Sequence, residues 1–200
     1  MQCPYCQSPS YEKAPECPRC GLTMEKAGQF FGAAPRLTGG VSDTSGVLNA
    51  RERRRLGGLL TAFQRRFPQL GFTAAFIPVA HAVPLPAYAF WIFNKCALGG
   101  ETMTGGMNRH LFLLVDTTCQ RTALTVGYGL EPFVSKQVLT ACLEAGAAAF
   151  SEGRYCKGAC DVLAAAEKCL REISTALPRT FGVTSLRPEA KDEEAAASVY

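Results

Sequence analysis

Leu56, Leu59, Leu60, Phe63 and Phe67 recur at helical spacing and form one apolar stripe. Asn49 followed by Glu52 supplies N-cap and N3 chemistry ahead of that stripe, and Pro68 ends it. The period then changes. Residues 71–79 read as a strand, and Pro86 suits the first turn of a second helix running to about Cys96. Residues 98–108 form a loop rich in glycine and threonine. Residues 110–116 are almost continuously apolar, as expected of a strand covered on both faces. Residues 121–128 alternate and make its hairpin partner, with residues 116–120 as the turn. Helices are predicted over about 132–150 and 159–176, the second with Val162, Leu163, Ala166, Leu170 and Ile173 on one stripe. This order predicts an α/β fold, a three-layer α/β/α sandwich with a small mixed sheet.

The rest of the chain reads differently. Residues 28–46 carry Gly32, Pro35, Gly39, Gly40, Ser42, Ser45 and Gly46, the composition of a flexible linker. Residues 1–27 ahead of it are too few to bury a core. The expected division is 1–27 as a metal knuckle, 28–46 as linker, 47–177 as the α/β domain and 178–200 as an acidic, disordered tail. Residues 189–200 hold four acids against one lysine, a net of −3, so the remainder carries +7 where the whole chain carries +4. No apolar run reaches the roughly 18 residues of a membrane span. The N-terminus has cysteines where a signal peptide needs a basic start and an apolar core. A soluble, cytoplasmic protein is expected.

The clearest chemistry lies in Cys3-Pro-Tyr-Cys6 and Cys17-Pro-Arg-Cys20-Gly21. Two Cys-x-x-Cys hooks supply four thiolates, the set a tetrahedral Zn²⁺ takes at about 2.3 Å. Iron in a rubredoxin-like site is the competing reading. Gly21 suits the positive φ of a tight turn. A closed four-cysteine zinc ribbon builds structure and performs no chemistry. The other cysteines, Cys96, Cys119, Cys142, Cys156, Cys160 and Cys169, lack ligand spacing. Cys142, Cys160 and Cys169 lie in apolar helical runs, as small hydrophobes. Ten cysteines kept as thiols suit a reducing compartment.

Leu111-Phe-Leu-Leu-Val-Asp, a short turn, and then Leu124-Thr-Val-Gly-Tyr-Gly-Leu-Glu131 resemble the TPM domain family. That family includes thylakoid-lumen acid-phosphatase-like proteins, photosystem II repair proteins and an auxiliary subunit of acetylcholine receptors. Gly46-Val-Leu-Asn-Ala-Arg-Glu-Arg resembles its opening, and Phe150-Ser-Glu-Gly-Arg-Tyr155 the lead into its last helix. The resemblance spans about 46–173 and implies an α/β/α sandwich. It also implies a phosphatase-like site with a divalent ion, Ca²⁺ or Mg²⁺. The family's Asp-Asn-Gly ahead of the buried strand falls on Asn108, Arg109 and His110, and its Asp-Arg turn on Cys119 and Gln120. Only Glu131 remains of that acidic set. One carboxylate and one amide make a poor site for a hard divalent ion. Catalytic candidates are therefore Asn108, Arg109 and Glu131, and binding candidates are Tyr128 and His110.

Two further features bear on partners. Arg51, Arg53, Arg54, Arg55, Arg65 and Arg66 avoid the apolar stripe of the first helix, which is the ordinary pattern of a solvated face. Tyr88, Phe90, Trp91 and Phe93 crowd the second helix, so some reach its rim. Three functions compete: an interaction or adaptor module with a protein partner, a TPM-type hydrolase, and nucleic-acid binding through the knuckle and the arginine face.

Overall fold

A computed structural model describes residues 3–10, 14–37, 39–98 and 108–180. The strand-forming runs make one mixed sheet of four strands in the order β1-β2-β3-β4. These are β1 (Val41–Asp43), β2 (Gly71–Ile77), β3 (His110–Asp116) and β4 (Arg121–Val126). β2 is parallel to both β1 and β3, with Gly71 opposite His110 and Ile77 opposite Asp116. β3 and β4 form the expected antiparallel hairpin, with Leu111 opposite Val126.

Strand alternation divides the core in two. Phe72, Ala74, Phe76, Leu111, Leu113, Val115 and Leu124 face α2 (Ala50–Arg66), α4 (Lys136–Ser151) and α5 (Tyr155–Thr180). Ala75, Ile77, Phe112, Leu114 and Ala123 face α3 (Leu85–Lys95) and the preceding helix α1 (Met24–Phe31). Helices on both faces explain the unbroken apolar run of β3. The α/β/α sandwich is thus the observed architecture.

α2 starts where its sequence chemistry says it should. Asn49 accepts the backbone N–H of Arg51 and Glu52, each at 3.0 Å, and Glu52 accepts that of Asn49 at 3.0 Å. Leu56, Leu60 and Phe63 are buried, whereas Leu59 turns outward and is 40% exposed. The hairpin is held by a buried acid. Asp116 Oδ1 accepts the N–H groups of Val79, Thr118 and Cys119, and Oδ2 accepts Arg121 Nε at 2.9 Å. Arg121 also donates to the carbonyls of Ala80, His81 and Val83, tying the β2–α3 connection to the hairpin.

The linker expected over 28–46 is replaced by structure. α1 runs into it from Thr23, whose hydroxyl caps Lys26 N–H at 3.0 Å. β1 adds a parallel edge, with Val41 opposite Ala74 and Asp43 opposite Phe76. Asp43 then accepts the N–H groups of Val47 and Leu48 and pairs with Arg53 at 3.1 Å. Gly32 and Gly40, at φ +80 and +76, make the turns that end α1 and lead into β1. Composition alone does not separate glycines that turn a chain from glycines that loosen it. The last two helices begin at Lys136 and Tyr155, and α5 continues to Thr180, past the expected limit at 177. Residues 178–180 of the expected tail belong to α5, and the rest of it, 181–200, and most of the glycine-threonine loop, 99–107, lie outside the described residues.

Candidate functional site

The two hooks fold as paired turns of the same design. In the first, Cys3 N–H donates to Ser8 O and Gln7 N–H to Cys3 O, both at 2.8 Å. In the second, Cys17 N–H donates to Leu22 O and Gly21 N–H to Cys17 O. Gln7 and Gly21 occupy the equivalent left-handed position after each hook, at φ 58 and 65. The expected turn glycine is Gly21, and Gln7 carries the same conformation at a steric cost.

This design points four sulfurs at one spot. All four Sγ atoms lie within 4.8 Å of one another. Cys3 and Cys20 are 3.7 Å apart, as are Cys6 and Cys17. A tetrahedron with metal–sulfur bonds of about 2.3 Å has edges of about 3.8 Å, so the donor set and its spacing fit a tetrahedral metal. Backbone N–H groups of Cys20 and Arg19 hold the Cys17 thiol down to about 6. The Ser8 hydroxyl, 2.8 Å from Cys6 Sγ, lowers that thiol too. Burial raises Cys3 and pushes Cys20 up to about 12. Four converging sulfurs cannot all be anionic without a cation among them.

The knuckle does not stand apart from the α/β domain. Lys136, the first residue of α4, donates to Gln7 Oε1 at 3.2 Å. Between knuckle and domain lies a cavity of about 260 Å³. Cys3, Pro4 and Gln7 form one wall, Phe90, Phe93 and Asn94 of α3 another, and Val126, Gly127, Tyr128 and Glu131 the third. A smaller cavity of about 150 Å³ adjoins it beneath the second hook, sharing Phe90, Asn94 and Tyr128. The aromatic cluster noted in the sequence splits as geometry requires. Trp91 and Phe93 are buried, while Tyr88 and Phe90 reach the rim.

The remaining sequence candidates do not meet at one point. Tyr128 and Glu131 line the junction cavity. Asn108 packs behind it, its carbonyl accepting Gly129 N–H at 2.8 Å. A side chain begun at Gly127 would lie 2.1 Å from Asn108 Oδ1, so only glycine fits there. Asn108 Oδ1 is buried with no hydrogen-bond partner among the described residues. Arg109 is exposed and anchors the strand start through its carbonyl, which accepts Gly71 N–H at 3.0 Å. His110 turns inward instead. Its Nε2 lies 3.0 Å from Thr73 Oγ1, and its ring sits edge-on to Phe93. Burial lowers its pKa to about 4, so it is neutral at physiological pH.

Two acids that sequence reasoning passed over, Asp43 and Asp116, are buried but committed to backbone N–H groups and to Arg53 and Arg121. Among the described residues, the four N-terminal cysteines are the one group of three or more His, Cys, Asp or Glu side chains close enough to share an ion. The polar cavity residues Gln7, Asn94 and Lys136 were also missed, because they converge only when the knuckle docks. The arginine-rich α2 covers one face of the sheet, whereas α1 and α3 cover the other. No helix among the described residues is long and apolar enough to cross a membrane.

Solved structures share this architecture. The N-terminal domain of a protein from P. gingivalis superposes with a TM-score of 0.56 at 21% identity, covering 65% of this chain and 80% of that one. The BA42 protein of the psychrophilic bacterium Bizionia argentinensis gives 0.53 at 13% identity, covering 65% and 86%. An N-terminal domain from Corynebacterium glutamicum gives 0.52 at 11%, covering 68% and 83%. No curated protein matches the chain. The TPM domain matches residues 41–169, a span that opens at β1, takes in the sheet and ends within α5. With more than half of its residues in that match, the chain belongs to the TPM domain family.

Proposed function

We propose that this protein is a metal-bearing TPM-family binding module that engages another protein in the cytoplasm, with Zn²⁺ held structurally by Cys3, Cys6, Cys17 and Cys20. The carrying observation is the state of the carboxylates. Asp43 and Asp116 are committed to internal hydrogen bonds, and among the described residues Glu131 is the single carboxylate on the junction cavity. A hard divalent ion that activates water needs several oxygen ligands and an open position. The described part of the cavity offers one carboxylate among mainly apolar walls. Such a surface supports recognition better than hydrolysis.

The hydrolase reading keeps one point in its favour, because Tyr128, Glu131 and Lys136 share the cavity. Glu131 would then hold an ion or orient water, with Arg109 or Lys136 meeting phosphate. Joint nucleic-acid binding by knuckle and arginine face has less support, since the knuckle docks on α3 and the turn after β4 while α2 lies on the sheet face opposite α3. The test is hydrolysis of a generic phosphate ester by the Zn²⁺-loaded chain, with and without Ca²⁺ or Mg²⁺, beside Glu131→Gln. The expected result is no turnover above the variant. Ion-dependent turnover that Glu131→Gln abolishes would replace the binding reading with the enzymatic one.

A further inference from the structure

The second hook and α1 are built as one piece. Lys26 Nζ donates to Gly21 O at 2.8 Å, and Thr23 caps α1 three residues after Cys20. Wherever the Cys17–Cys20 turn goes, the start of α1 goes with it. α1 in turn lies on α3. Ala27 is buried in the core on that side, and Leu22, Phe31, Ala34 and Leu37 pack against it. The Phe31 ring is 5.2 Å from Tyr88 and 5.4 Å from Trp91. The first hook reaches the domain separately, through Gln7 and Lys136. The four-cysteine cluster therefore ties together two contacts that the chain makes at different places.

The buried side of this interface is not fully satisfied. Trp91 is 1% exposed, yet its Nε1–H has no hydrogen-bond partner among the described residues. It lies under α1, 3.7 Å from where a side chain on Gly28 would begin. A buried donor without an acceptor favours a state in which water reaches it. The α1–α3 contact is held by aromatic packing and by the anchoring of α1 at the second hook. A segment of this size cannot hold its own fold without a crosslink.

We propose that the four-cysteine site is a clasp: metal held by Cys3, Cys6, Cys17 and Cys20 keeps α1 over Trp91 and walls the junction cavity, and metal loss frees that face of α3. This rests on the metal-site reading given above. The α2, α4 and α5 layer and the sheet face it covers do not depend on the clasp, because that core contains no residue of the knuckle or α1. Opening is therefore local.

Trp91 is the sole tryptophan, so its emission reports the clasp directly. The full chain, loaded with Zn²⁺, is titrated with a chelator while released metal is counted. The expected result is a red shift of Trp91 emission and a rise in acrylamide quenching on the order of twofold, with far-UV circular dichroism largely kept and reversal by Zn²⁺. Phe31→Ala should expose Trp91 while the metal stays bound. Metal release with unchanged Trp91 emission would overturn the clasp and leave the metal site standing. Loss of the whole fold on chelation would also overturn it, since the metal would then hold every layer. A Phe31→Ala protein whose Trp91 is as shielded as in the unaltered chain counts against it as well. A chain that takes up no Zn²⁺ would end both the clasp and the metal-site reading.

Discussion

His110 illustrates how one position changes meaning between sequence and structure. At the mouth of a buried strand beside Arg109 it reads as an anion-binding candidate. In the fold it is half-buried, against Thr73, Phe93 and the bare Cα of Gly71. Its depressed pKa makes it a source of acid destabilisation. Between the ordinary value of 6.5 and the folded value of about 4, the unfolded chain takes up a proton that the folded chain refuses. Stability is therefore full above 6.5 and falls as pH drops toward about 4. The loss attributable to this residue is at most about 3 kcal/mol. Urea midpoints measured across that window should decline with pH, and His110→Gln should flatten the part of the slope above about pH 5, where carboxylates contribute least. An unchanged slope in the variant would assign the pH dependence to other groups. Its inward turn was not readable from the sequence, because it follows from the register that sets Gly71 opposite His110. The same holds for Asp116. It reads as a turn residue but serves as the acceptor that gathers three N–H groups and Arg121.

Among the elements, those with a strong period of their own were legible. α2 carries stripe, cap and terminating proline in one local stretch, and β3 announces its burial on both faces. β1 was not legible. Three residues have no period, and Val41–Asp43 become a strand only because β2 offers them an edge. α1 was hidden for a similar reason, since its apolar residues acquire a partner only on α3. The α4–α5 pair shows a close approach that sequence composition masks as ordinary alanine-rich helix. A side chain begun at Gly146 would lie 2.6 Å from Gly158 O and 2.8 Å from a Val162 methyl. Alanine there gains up to about 1 kcal/mol in helix propensity. It must push apart two backbones, and overpacking of that kind costs about 1–3 kcal/mol. Gly146→Ala should therefore lower the urea midpoint by a net amount on the order of 1 kcal/mol, with the slope unchanged. A stabilised variant would show that the helices can separate freely.

For the whole molecule, the two N-terminal hooks and the family domain act together. The cysteine spacing foretold the convergence of the four sulfurs, which lie within 4.8 Å of one another. It did not foretell docking, because the contacts that matter pair Gln7 with Lys136 and Phe31 with Trp91 across long separations in the chain. The family resemblance carried the sandwich, and the fold sets Glu131 and Tyr128 on the junction cavity. Another wall of that cavity comes from the knuckle, which lies outside the matched span of 41–169. The proposed molecule is a four-thiolate metal centre joined to a TPM-family domain. X-ray absorption at the metal edge of the purified full-length chain tests it most directly. One metal per chain is expected, bound by four sulfurs at about 2.3 Å with no nitrogen or oxygen in the first coordination sphere. Fewer sulfurs, light-atom ligands or substoichiometric metal after loading would contradict it.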